Sequence, residues 1–175
     1  YENLKKGTTT YSNAINHVQN ANDIAVSLGK QHFVGSVSII HGESQTGTTE
    51  AEYEGYLAEW ASDYKTDIVA ITGQPAPPNV LISQTNTGEA GTQPAIPVAQ
   101  LNAHLTGTVT LVCPKYQFRY FDVYHLYAEG YVKLGELEAK AERYLLSSGA
   151  WSPLMPLSFE LIAANKIRIG FNNQP

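Results

Sequence analysis

The chain has one cysteine, Cys113, in 175 residues, so it can form no internal disulfide. Cys113 ends the apolar run Val109–Cys113, where it reads as a small packed hydrophobe. Histidine, cysteine and acidic residues form no cluster at zinc-ligand spacing. Basic residues are also scarce: 11 Lys and Arg stand against 16 Asp and Glu, for a net charge of −5. That balance argues against nucleic acid, or an anionic membrane surface, as the principal partner. No apolar run approaches the roughly 20 residues that cross a bilayer, so no membrane span is expected. Phe and Trp are few, whereas Tyr occurs 11 times. An amphipathic ring of that kind suits helix–sheet borders, and it also suits carbohydrate-facing grooves and protein interfaces.

What is present is an ordinary apolar fraction of 43%, enough for one compact core, and an alternation of helical and extended patterns. Tyr11, Ala14, Ile15, Val18, Ala21, Ala25 and Leu28 follow helical spacing, with Gly29 as the stop. Phe33 to Ile40 reads as a buried strand that ends at His41-Gly42-Glu43. A helix is expected from Thr49, because Glu52 stands at capping-box spacing and Tyr53, Tyr56, Leu57, Trp60, Ala61 and Tyr64 make one apolar face. The β-branched run Ile68 to Thr72 reads as a further strand ending at Gly73, followed by a proline-rich loop. Val80 to Gln84 and Thr108 to Cys113 read as strands, and Ala95 to Leu105 as a short helix. The Gly- and Thr-rich stretch from Asn86 to Gln93 reads as a mobile loop. A long amphipathic helix runs through Leu126, Tyr131, Leu134, Leu137, Ala141 and Leu145 and stops at Ser147-Ser148-Gly149. Beyond it, Phe159 to Ile162 and Lys166 to Ile169 form a hairpin turning at Asn165-Lys166. The division is therefore an α/β unit over residues 1–149 and a β-rich extension over 150–175.

Two reactive clusters stand where strands of an open α/β sheet end, the position from which such folds present functional groups. One is His41-Gly42-Glu43-Ser44. The other holds Asp122 and His125. An Asp three residues ahead of a His can hold one imidazole nitrogen and leave the other to take a proton from a hydroxyl. The remaining histidines read as structural: His17 solvated on a helix, His32 before a strand, and His104 complementing a helix C-terminus with partial charge. Glu136 and Glu138, near Lys140, read as a solvated helix face.

Val37-Ser38-Ile39-Ile40-His41-Gly42-Glu43-Ser44-Gln45 resembles the third block of the carbohydrate-esterase branch of the SGNH (GDSL-like) hydrolases. Asp122-Val123-Tyr124-His125-Leu126, with Gly130-Tyr131 and Leu134-Gly135, resembles that family's final block. The resemblance spans about Tyr1 to Leu146. It implies a three-layer, flavodoxin-like parallel sheet lacking its first strands, and acyl hydrolysis without metal or organic cofactor. It makes His125 the general base and Asp122 the acid that holds it. It makes Gly42 a contributor to the oxyanion hole. Glu43 becomes either a second orienting acid or a buried structural carboxylate. His41 stands where the family often has Gln, and the resemblance places it with Gly42 in the oxyanion and substrate-binding set, a neutral imidazole donating one hydrogen bond as Gln does.

The family's serine block has no counterpart here. Ser44, Ser12, Ser36 and Ser38 are poor substitutes, since none sits in a Gly-flanked strand-to-helix turn. The nucleophile is therefore expected upstream of Tyr1 or on another chain. The implied substrate is an acylated, most simply acetylated, carbohydrate, and homo-oligomerisation is compatible with the composition. An extracellular, periplasmic or virion-associated setting fits such a protein. The rival expectation is a carbohydrate-binding or structural module of the same fold without catalysis, as in a phage tail fibre.

Overall fold

A computed structural model describes residues 1–86, 95–147 and 149–172. The expected loop over Asn86–Gln93 lies, from residue 87 on, outside the described residues, as does Ser148. Among the described residues the architecture is α/β: a three-stranded parallel sheet with helices on its faces and a separate antiparallel hairpin. The elements run α1 (Thr9–Ser27), β1 (Ser36–Ile39), α2 (Glu50–Thr72), β2 (Asn79–Gln84), α3 (Ala95–Leu105), β3 (Thr110–Pro114), α4 (Ala128–Ser147), β4 (Pro156–Ala163) and β5 (Lys166–Phe171). The sheet order is β1-β2-β3, with Val37 opposite Val80 and Ile82 opposite Leu111.

Side chains of a strand alternate between faces, and that alternation divides the core in two. Val80, Ile82 and Leu111 pack with Tyr53, Leu57, Trp60 and Ala61 of α2 and with Ile96, Ala99 and Ala103 of α3. Leu81 and Val112 point the other way, against Leu134 and Ala141 of α4 and against Trp151, and Cys113, at a register shift of the β2–β3 pairing, packs with them. Burial holds the Cys113 thiol up at about 12, so it packs as an unreactive hydrophobe. Trp151 ties the start of the C-terminal extension to the sheet, its indole N–H donating to the carbonyls of Leu111 (3.2 Å) and Val112 (3.3 Å).

The cap of α2 is as its sequence dictates. Thr49 accepts from the Glu52 amide at 3.3 Å, and the Glu52 carboxylate accepts from the Thr49 amide at 2.8 Å. The expected strand at Ile68–Thr72 is instead the last turn and a half of this helix. Ile68 and Thr72 continue the four-residue spacing of Tyr53, Leu57 and Trp60–Ala61 and are buried with them, so packing outweighs the strand preference of β-branched residues. Gly73, at φ 65°, closes the helix with its amide on the Val69 carbonyl.

β1 is shorter than the run Phe33–Ile40. Its N-terminal neighbour Val34 bonds through both backbone groups to the side-chain amide of Gln74 (3.0 and 3.1 Å), which takes the place of a partner strand. Nor is the acidic face of α4 simply solvated. Glu138 accepts from Ser38 and Glu142 from Ser36, each at 2.8 Å, which fastens α4 to β1. His104 is not a charged helix terminator: burial lowers its basicity, and its Nδ1 faces the Leu111 amide at 3.4 Å. The hairpin turns at Ala164-Asn165, one residue earlier than expected, because Ala163 pairs with Lys166. Among the described residues no helix is long and apolar enough to cross a membrane.

Candidate functional site

Because the strands are parallel, the segments after β1, β2 and β3 emerge at one edge of the sheet. His41–Ser44 follow β1, Thr85 and Asn86 follow β2, and Lys115–Gln117 form a single helical turn after β3. A pocket of about 230 Å³ opens there, lined by Ile40, His41, Gly42, Glu43, Ser44, Lys115, Tyr124, His125 and Tyr131. The edge therefore brings both sequence clusters to one place.

The local fold of the second cluster is a small closed loop. Tyr120 pairs with Leu126 across its neck, Leu126 is buried, and the Phe121 amide donates to the His125 carbonyl at 2.7 Å. Inside the loop, Asp122 Oδ1 accepts from the amides of Tyr124 (2.8 Å) and His125 (2.7 Å), the turn an Asx side chain makes with its own backbone. The same carboxylate holds His125 Nδ1 at 2.8 Å through Oδ2, leaving Nε2 as the nitrogen for proton transfer. The His125 bond, then the two amide bonds, hold the Asp122 carboxyl down at about 2, so it is ionised at neutral pH. The pair is open to solvent, with side-chain exposures of 64% for His125 and 40% for Asp122. This geometry is an oriented imidazole–carboxylate pair in a wet environment.

The first cluster is buried and tightly constrained. Gly42 has φ +116°, and a Cβ there would lie 2.8 Å from Ile96 Cγ2, 2.8 Å from the Tyr53 hydroxyl and 3.0 Å from Thr85 Cγ2. Only glycine fits, for reasons of backbone conformation and of space. His41 is stacked against Tyr53, with Nδ1 at 2.9 Å from the Tyr53 hydroxyl. That hydroxyl also donates to the His41 carbonyl at 3.1 Å. Tyr53 has one hydroxyl proton for these two contacts, so the His41 tautomer is set by which of them that proton serves. Burial, reinforced by the positive charge nearby, lowers His41 to about 4, so it is neutral at pH 7.

Glu43 has partners that its sequence neighbourhood does not reveal. Its Oε1 meets Lys115 Nζ at 2.8 Å, accepts from the Tyr120 hydroxyl at 2.7 Å and accepts from the Asn86 amide at 3.3 Å. Glu43 is 8% exposed and Lys115 3%, so this is a buried ion pair. Its Oε2 is buried with no hydrogen-bond partner among the described residues. Glu43 thereby joins the loops after all three strands, while among the described residues it is Asp122 that bonds to the His125 ring. Lys115 and Tyr120 were not among the residues singled out from sequence. The one available signal was a lysine directly after the apolar strand Thr110–Pro114, at the edge where a charge needs a partner.

Ser44 is exposed and lines the same pocket as His125. Ser36 and Ser38 are engaged with Glu142 and Glu138, and Ser12 lies on the exposed side of α1. No group of three or more His, Cys, Asp or Glu among the described residues is placed to hold a metal ion. Compared with protein-family models, with curated proteins and with solved structures, the chain matches none.

Proposed function

We propose that this chain carries the base-bearing part of a carbohydrate O-acetylesterase of the flavodoxin-like SGNH type, working through Ser–His–Asp acyl transfer. The observation that supports this most directly is the Asp122–His125 pair at 2.8 Å, set at the rim of a pocket that also holds Gly42 and Glu43. His125 Nε2 takes the proton from a serine hydroxyl as its oxygen attacks the acyl carbon. The imidazolium so formed is stabilised by Asp122 and returns the proton to the leaving sugar alcohol. The backbone N–H of Gly42 is the candidate donor to the oxyanion, its approach allowed by the missing side chain. A water molecule then repeats the sequence on the acyl-serine and releases acetate.

The nucleophile belongs to an upstream segment or another chain. β1 is an outer strand among the described residues, and Ile40 at its end is 52% exposed where it enters the pocket. A strand laid along that edge would bring a serine to His125. The test is release of p-nitrophenol from p-nitrophenyl acetate by the chain together with the serine-bearing segment. His125→Ala should lower the rate by a factor on the order of 10³ or more. An undiminished rate in that variant would sink the reading. Ser44→Ala should leave the rate unchanged, and its loss would move the nucleophile into this chain.

Carbohydrate binding without turnover is the second reading. It is favoured by aromatic side chains at the pocket and beside it, with Tyr131 40% and Phe121 68% exposed. Under this reading Tyr131→Ala weakens polysaccharide binding in calorimetry, whereas His125→Ala leaves esterase activity at the blank rate of the parent chain.

A further inference from the structure

Among the described residues, the C-terminal hairpin carries an apolar face that is left exposed. In its register Phe159 stands opposite Ile169 and Leu161 opposite Ile167, while Glu160 stands opposite Arg168. Alternation therefore collects Phe159, Leu161, Ile167, Ile169 and Phe171 on one face, and the Glu160–Arg168 ion pair (2.8 Å) on the other. The apolar side chains are 44–70% exposed. A two-stranded ribbon is marginal in water unless further strands or a packing surface cover its apolar side. The uncovered surface continues off the ribbon. A cavity of about 410 Å³ separates Phe159, Ile169 and Phe171 from Cys113, Tyr116 and Leu137 of the α/β unit. A second cavity, of about 340 Å³, runs on past Leu154 to Leu101 and Leu105.

We propose that this face is where a second copy of the chain docks. The area decides in favour of a stable partner. Six side chains (the five above and Leu157, 68% exposed) average a little over half exposed; at roughly 200 Å² each they present about 700 Å². Leu154 (52%) and Tyr116 (65%) bring the total to about 900 Å². One side of a standard stable interface buries about 800 Å². The chemistry points to a like surface. None of these eight side chains is charged, and Glu160 and Arg168 of the same ribbon pair with each other on the opposite side. Nothing in it selects a foreign partner by charge, whereas a two-fold contact needs only a surface complementary to itself. Face-to-face packing of two such ribbons gives a small four-stranded sandwich at ordinary sheet spacing.

Light scattering coupled to size exclusion tests this on the chain at about 50 μM. The expected mass is twice that of the monomer. In the paired variant Phe159→Glu/Ile169→Lys, the new charges stand directly opposite each other, which keeps the hairpin pairing compatible while charging the apolar face. That variant should run as a monomer with far-UV circular dichroism unchanged. Glu160→Gln/Arg168→Gln alters only the polar face and should keep the dimer mass. A monomeric parent chain overturns the proposal, whether or not a different protein binds the hairpin. So does a dimer that persists in the paired apolar-face variant, or one lost in the polar-face variant.

Discussion

The buried Glu43–Lys115 pair makes a sharp quantitative prediction. Replace Glu43 with Gln. The amide can still accept from Tyr120 and from the Asn86 amide, so the change removes little but the charge facing Lys115 Nζ at 2.8 Å. Lys115 is 3% exposed, so its ammonium has little solvent to replace the carboxylate. Removing one partner of such a pair costs roughly 3–5 kcal/mol, because an uncompensated ammonium stays buried. For a chain of this size 1 kcal/mol shifts the melting temperature by about 2–4 °C, so the midpoint should fall by about 6–20 °C. Lys115→Met should also destabilise. The double variant Glu43→Gln/Lys115→Met should recover much of the loss, since two neutral groups no longer carry the desolvation penalty of an ion. Differential scanning calorimetry or urea unfolding of the four proteins completes the cycle. A Glu43→Gln midpoint within 2 °C of the parent would refute the reasoning, as would strict additivity, because either result means the pair is solvated in solution.

Gly42→Ala should destabilise by about 2–5 kcal/mol in urea unfolding, the sum of a positive-φ penalty and a Cβ pressed to 2.8 Å from Ile96 and Tyr53; a loss under 1 kcal/mol would show the loop to be adaptable. The amides of Tyr124 and His125, which donate to Asp122, should shift in NMR with a midpoint near 2 rather than near 4. Since the folded value lies below the unfolded one, the stabilisation Asp122 gives its loop is present above pH 4 and is lost as pH falls toward 2. His41 should titrate near 4 by its imidazole resonances. A base whose folded value is depressed stabilises nothing by charging: the fold keeps its full stability above about pH 6.5 and loses some as pH falls from 6.5 through 4. His41→Gln should lack that part of the decline, and a His41 midpoint near 6.5 would contradict its burial.

Much of this fold was legible from local pattern. Helical periodicity placed α1, α3 and α4. The Thr49–Glu52 spacing placed the cap of α2, and short apolar runs placed β2 and β3. These features depend on neighbours three or four residues apart, and a linear pattern carries them. Ile68–Thr72 shows where that limit lies: the residues prefer strands, but burial of Ile68 and Thr72 on the buried side of α2 keeps them helical. The Asp122–His125 bond was likewise local, three residues apart and closed by the loop's own amides. The tertiary structure alone decided what faces Glu43. Its partners lie 43, 72 and 77 residues away and meet only because parallel strands release their loops at one edge. It also decided that Glu138 and Glu142 fasten α4 to β1, and that the hairpin presents its apolar face uncovered. Sequence determines which side chains can act as base, anchor or packing surface; the crossing of distant segments determines which of them meet, because burial and pairing depend on distance in space.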